Sequence, residues 1–155
     1  MPRVIRSVFI IFLLLAGKSF AQEISKKYHE LTKIAYARYK LSDFKNAGLA
    51  FSSAFKFFGG KGLVEDRYYA ARCWALANEA DSAFAQLYRI TEKVYYSNYD
   101  QLITDKEFDN LHADVRWGKL LTMVKENKAF NFAKLITNNI HFIHYVDQPY
   151  PINKK

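Results

Sequence analysis

The sequence predicts an all-α protein built as a short right-handed solenoid of helical hairpins, with about two repeats and a capping hairpin. Three observations carry this. Two stretches match each other at a spacing of 36 residues, their small and large apolar residues fall at helical steps, and a distinct block closes the series. In the first stretch Leu31-x-x-Ile34-Ala35 is followed by Asp43-Phe44-x-x-Ala47-x-x-x-Phe51-x-x-Ala54. Thirty-six residues on stand Arg67-x-x-Ala70-Ala71 and Glu79-Ala80-x-x-Ala83-x-x-x-Leu87-x-x-Ile90.

Each element has a physical reason. Two helices approach to 8–10 Å only where the facing side chains are small, and bulky residues one turn away then fill the flanking grooves. Ala35 and Ala71, and again Ala47 and Ala83, supply the small positions; Phe51 and Leu87 supply the bulk. Steps of four and three keep Ala47, Phe51 and Ala54 on one helical face. An acid opens the second helix of each unit, and Ser42-Asp43 offers oxygen acceptors to its first free N–H groups. The turn Gly59-Gly60-Lys61-Gly62 reads as a flexible link between units.

This pattern resembles the tetratricopeptide repeat family, whose units of about 34 residues are helix–turn–helix hairpins. The resemblance covers roughly residues 28–92. It departs from the family in having Gly59-Gly60-Lys61-Gly62 where unit one would end in proline, and Ala80 where an aromatic is usual. Leu102-x-x-Asp105-x-x-Phe108-x-x-Leu111-x-x-Asp114-x-Arg116-Trp117-x-x-Leu120-Leu121 resembles the closing block that follows such repeats in bacterial proteins. There a shortened hairpin and a terminal helix cover the open hydrophobic end of the stack. Trp117, Leu120, Leu121 and Val124 share a face suited to that cover, and Asp114 sits at a cap position.

Ahead of the repeats, residues 1–21 have the layout of a secretory signal peptide. Arg3 and Arg6 precede an apolar run from Val8 to Ala16, and Ser19-Phe20-Ala21 places small residues before a cut at Gln22. The run is about half of the roughly 20 residues a membrane span needs. No cysteine follows it, so no lipid anchor is expected. The expected organisation is a signal peptide at 1–21, a helical-repeat domain at 22–127 and a C-terminal tail at 128–155. The location expected is the periplasm or the exterior, with no stable membrane insertion after cleavage. Cleavage removes three basic and no acidic residues, so the formal charge of +8 falls to +5. The basic residues look scattered along the chain, which argues against nucleic acid as a partner. In the tail, AFNFAKLITNN can add a short helix, whereas HFIHYVDQPYPINKK, with Pro149 and Pro151, cannot continue one and fits either an extended strand packed on the domain or a linker.

Catalytic and metal chemistry finds little support. Asp105-x-Glu107-x-Asp109 imitates the start of a calcium loop, but Asn110 stands where glycine is needed and Arg116 where the closing glutamate belongs. His141 and His144 lie three apart, but zinc needs at least three protein ligands, Asp147 is the only nearby third candidate, and no group stands by to orient the imidazoles. Cys73 is the only cysteine, set in a helix among small residues, so it reads as a buried apolar side chain. No cofactor and no enzymatic role are expected.

What the family resemblance implies is a protein or peptide partner in the concavity lined by the first helix of each hairpin. The groove positions that the family pattern carries over are His29, Thr32, Tyr36, Tyr39 and Lys40 in unit one, and Glu65, Tyr68, Arg72, Ala75 and Leu76 in unit two. Tyr36, Tyr39, Lys40, Tyr68 and Arg72 would make an aromatic, cationic surface of the kind enriched at binding hot spots. Expected core positions are Ile34, Ala35, Ala47, Phe51, Ala54, Ala71, Trp74, Ala83, Leu87, Leu111, Trp117 and Leu121. The alternatives are an accessory or detached domain of an envelope enzyme and a structural part of an envelope complex.

Overall fold

A computed structural model describes residues 22–138, and these form helices and turns with no strand. Residues 1–21, where a signal peptide is expected, and the histidines of the distal tail lie outside the described residues. The chain divides into two compact units at Gly62/Leu63.

The first unit is a hairpin of α1 (22–40) and α2 (Phe44–Phe57). Its turn is made by Ser42 in the left-handed region, at φ 58°. The Ser42 N–H donates to Tyr39 O at 2.9 Å and the Asp43 N–H to Arg38 O at 3.0 Å, so the last carbonyls of α1 are satisfied in a Schellman motif. Tyr28, Thr32 and Ala35 of α1 are buried, as are Ala47, Gly48, Phe51, Ala54 and Phe55 of α2. The Tyr36 ring meets Phe51 edge-on at 5.0 Å, and Tyr28 lies 5.0 Å from Phe58. Two expectations are corrected here. Ile34 is 47 % exposed, because the inward row of α1 runs 28–32–35 and position 34 turns about 100° away from Ala35. Asp43 makes no side-chain cap; its carboxylate accepts instead from Arg38 and Asn46, each at 2.8 Å.

The second unit holds α3 (Val64–Leu76), α4 (Ala80–Val94), α5 (Tyr99–Thr104), a 3₁₀ turn (Lys106–Leu111) and α6 (Val115–Asn138). The α3–α4 turn repeats the first hairpin's: Asn78 is left-handed at φ 59°, its N–H donating to Ala75 O and the Glu79 N–H to Trp74 O, both at 2.8 Å. The ends of α2 and α4 also correspond, with Gly59 at φ 65° and Tyr95 at φ 55°. Each of these pairs is separated by 36 residues. The repeat is therefore written in backbone conformation as well as in side chains. Ala35/Ala71, Ala47/Ala83, Phe51/Leu87 and Ala54/Ile90 are all at or below 1 % exposed.

The closing block packs on this second hairpin. Leu102, Phe108, Leu111, Trp117, Leu120 and Val124 join Trp74, Ala83, Phe84, Leu87 and Ile90 in one core, with Leu121 packed at its edge. Asparagines of the block serve as helix C-caps for the hairpin. Asn110 Nδ2 donates to Ala75 O at 2.6 Å, and Asn127 Nδ2 to Thr91 O and Tyr96 O at 2.9 and 3.1 Å. A buried carbonyl left without such a donor is costly. α6 runs unbroken through residue 138, so the helix continues past the expected boundary at 127.

Asp114 caps α6 as expected: Oδ1 accepts the Arg116 N–H at 2.9 Å, and the Arg116 side chain grips both oxygens at 2.9 and 2.6 Å. These hydrogen bonds, the Arg116 side chain's first, pull the Asp114 carboxyl from its usual 3.8 down to about 2. A depressed folded value means that the stabilisation is complete above the unfolded value and drains away as pH falls toward 2. Asp114→Asn should therefore have a lower unfolding midpoint than the parent at pH 5–7. The two should converge between pH 4 and 2; a gap that persists at pH 2 refutes the charge-based cap.

Candidate functional site

The five residues expected to line a groove fall in both units, and the two units use them differently. In the first, Tyr36 and Tyr39 are half-buried on α1, with one side of each ring packed on α2: Tyr36 on Phe51, and Tyr39 on Phe44 at 5.8 Å and 64°. Lys40 is exposed at the end of the helix. His29 is also exposed, while Thr32 is buried, its hydroxyl donating to His29 O at 3.2 Å.

In the second unit the corresponding side chains are drawn into the fold. Tyr68 is 3 % exposed, with its ring edge-on to Phe108 at 5.4 Å. Its hydroxyl donates to Asp105 Oδ2 at 3.0 Å. Burial, then the charges of Tyr96 and Asp105, push that hydroxyl well above the ordinary tyrosine range, so it stays a donor. Arg72 Nε donates to the same Oδ2 at 2.7 Å and lies 3.3 Å from Glu107 Oε2. Its guanidinium stacks over Tyr68 at 5.0 Å and Tyr69 at 4.8 Å. Burial acts to lower the Arg72 pKa, but the hydrogen bond and charge of Asp105, helped by Glu107, outweigh it and raise it. Ala75 is fully buried. Tyr68 thus has almost no surface to offer a partner, and Arg72 is committed to two carboxylates. These positions build the joint between α3 and the 3₁₀ turn.

In the sequence Asp105 and Glu107 stood out as an imitation of a calcium loop's first positions. What the sequence lacked was their alignment with Arg72, which lies 33 and 35 positions earlier. One signal was present: a tyrosine and an arginine one helical turn apart on α3, facing a block rich in acids.

Cys73 is fully buried, and burial, followed by the charge of Glu107, pushes its thiol up to about 12. A thiol nucleophile needs the thiolate, which that environment suppresses. Among the described residues no group of three His, Cys, Asp or Glu is placed to hold a metal ion, and no helix is long and apolar enough to cross a membrane.

Charge is divided unevenly. Residues 22–62 carry eight basic side chains against three acidic ones; residues 63–138 carry ten against eleven. The positive balance that looked scattered in the sequence belongs to the first hairpin. No family model, curated protein or solved structure matches the chain.

Proposed function

We propose that the chain is an exported, non-catalytic binding module of the tetratricopeptide-like class, its hairpins stacked as a short right-handed solenoid that takes a protein or peptide partner. The observation that carries this reading is the recurrence at 36 residues of both the left-handed turn positions, Ser42/Asn78 and Gly59/Tyr95, and the fully buried small and large positions. A chain that repeats its backbone turns and its helix contacts at one period is a repeat scaffold, and scaffolds of this kind work by presenting surface. Fold alone does not decide function, so the partner class comes by analogy.

The surface concerned is on α1. Tyr36 and Tyr39 each keep part of an aromatic ring accessible, with its orientation set by packing on the other side, and rigid tyrosines of this sort make efficient anchors. Capture from an envelope extract with the processed protein names a partner, whose affinity is then measured with purified components. Tyr39→Ala, checked for unchanged helicity, should weaken that affinity about tenfold or more, as truncation of an interface anchor does. Equal affinity of parent and variant removes α1 from the site.

A further inference from the structure

The outward face of α1 carries a row of lysines that the repeat does not require. Lys26, Lys33 and Lys40 recur every seven residues within α1, so successive Cα atoms stand about 10 Å apart along one side of the helix. All three are exposed. The other two cations of α1 have partners: Lys27 pairs with Glu30 at 3.4 Å and Arg38 with Asp43 at 2.8 Å. Among the described residues the three lysines of the row make no ion pair. At the matching positions of the second hairpin stand Gly62, Tyr69 and Leu76. The row is a property of the first hairpin, and it lies opposite the helix face that packs on α2.

Apolar side chains lie beside it. Ile34 flanks the row on one side and Leu41 follows it in the turn after α1; they are 47 % and 80 % exposed. His29 and Tyr36 flank it on the other. Exposed Glu23 and Glu30 share the Ile34 side, Glu30 being paired with Lys27 at 3.4 Å, so the helix has a cationic strip with a mixed apolar and acidic margin and a net positive charge.

We propose that α1 docks this strip on an anionic lipid surface. The chemistry favours that occupant over an acidic peptide for two reasons. Ammonium groups are compact point charges, suited to a field of headgroup phosphates; the two-pronged capture of a single carboxylate is a guanidinium's task. The only arginine of α1 is already spent on Asp43. In addition, the row sits on the convex outside of a helix, where no walls enclose a peptide, whereas a flat surface meets all three lysines together. A second copy of the chain is disfavoured by the +5 balance of the same hairpin, which repels its own kind. The proposal does not rest on the partner-binding reading above.

The test is co-sedimentation of the full chain with vesicles of phosphatidylcholine alone and with 30 % phosphatidylglycerol. Neutral vesicles read out any apolar insertion, including that of the N-terminal segment. Binding should be stronger on anionic vesicles and fall as salt is added. Lys26→Gln/Lys33→Gln/Lys40→Gln should weaken anionic-vesicle partitioning about 100-fold, each lysine near the surface contributing about a factor of five. A charge-matched control, Lys93→Gln/Lys106→Gln/Lys119→Gln, should change it far less, and Leu41→Ser should weaken it on both vesicle types. Matching circular dichroism and unfolding midpoints exclude loss of fold. Three results overturn the proposal: no preference for anionic vesicles, equal loss in the control, or equally lysine-dependent binding to soluble polyglutamate. Tyr39→Ala should leave vesicle binding unchanged, so this proposal and the partner-binding reading fail separately.

Discussion

Truncating Asp105 to alanine lowers the unfolding free energy by about 3 kcal/mol, the low end of the range for removing one member of a buried ion pair. The Asp105 side chain is 7 % exposed and one oxygen holds both the Arg72 guanidinium and the Tyr68 hydroxyl. Its other oxygen accepts the Glu107 N–H at 3.2 Å and so starts the 3₁₀ turn. Removing the carboxylate leaves a largely buried cation and a buried hydroxyl donor. Glu107, at 3.3 Å from Arg72, keeps the loss from reaching the upper end. Arg72→Met/Asp105→Leu should restore part of the lost stability, since it removes the buried cation together with its partner while the Tyr68 hydroxyl still lacks that acceptor. Urea unfolding of the parent, the two single variants and the double variant measures the coupling directly. A loss below 1 kcal/mol for Asp105→Ala, or a double variant equal to the sum of the singles, rules out the network as the joint between α3 and the closing block.

Phe108→Ala should cost about 3–5 kcal/mol, as for other fully buried phenylalanines. The ring is 0 % exposed and lies 5.4 Å from Tyr68 and 6.0 Å from Trp117, so it joins α3 to α6 through a turn of only six residues. So short a turn has little cohesion of its own and is held by what it buries. Phe108→Leu keeps most of the apolar volume and should cost about 1.5 kcal/mol or less. Near-ultraviolet circular dichroism reports the loss of the Trp117 environment alongside the unfolding midpoint. If alanine and leucine cost the same, the ring's packing is not what holds the block.

Much of the second unit's core was legible before any coordinates. Ala71, Trp74, Ala83, Leu87, Leu111 and Trp117 are buried where the pattern placed them, because helix contact demands small residues at the crossing and large ones a turn away. Phe108 and Leu102 were visible as members of the closing block, though not as core positions. The turn residues were harder to read. Ser42 and Asn78 adopt the same left-handed conformation 36 residues apart, but serine rarely signals it, and Ser42-Asp43 looks like an N-cap pair. Ile34 misled for a simpler reason: a large apolar residue beside a small one on a helix leaves the inward row ambiguous by one position, and burial went to Ala35.

By itself, the sequence determined the all-helical class, the 36-residue period and the small-to-large pattern at the helix contacts. These are set by sterics between neighbours a few residues apart, and such constraints survive in a linear string. Only the tertiary structure decided the fate of the polar and aromatic side chains on α3. A tyrosine and an arginine at groove positions look alike whether they face a partner or the chain's own carboxylates. The closing block folds back to bring Asp105 within hydrogen-bonding distance of both, and a buried hydroxyl and guanidinium must find such acceptors or bear the cost of lost hydration. That requirement turned two expected contact residues into an internal joint, and left the outward face of α1 as the exposed cationic surface.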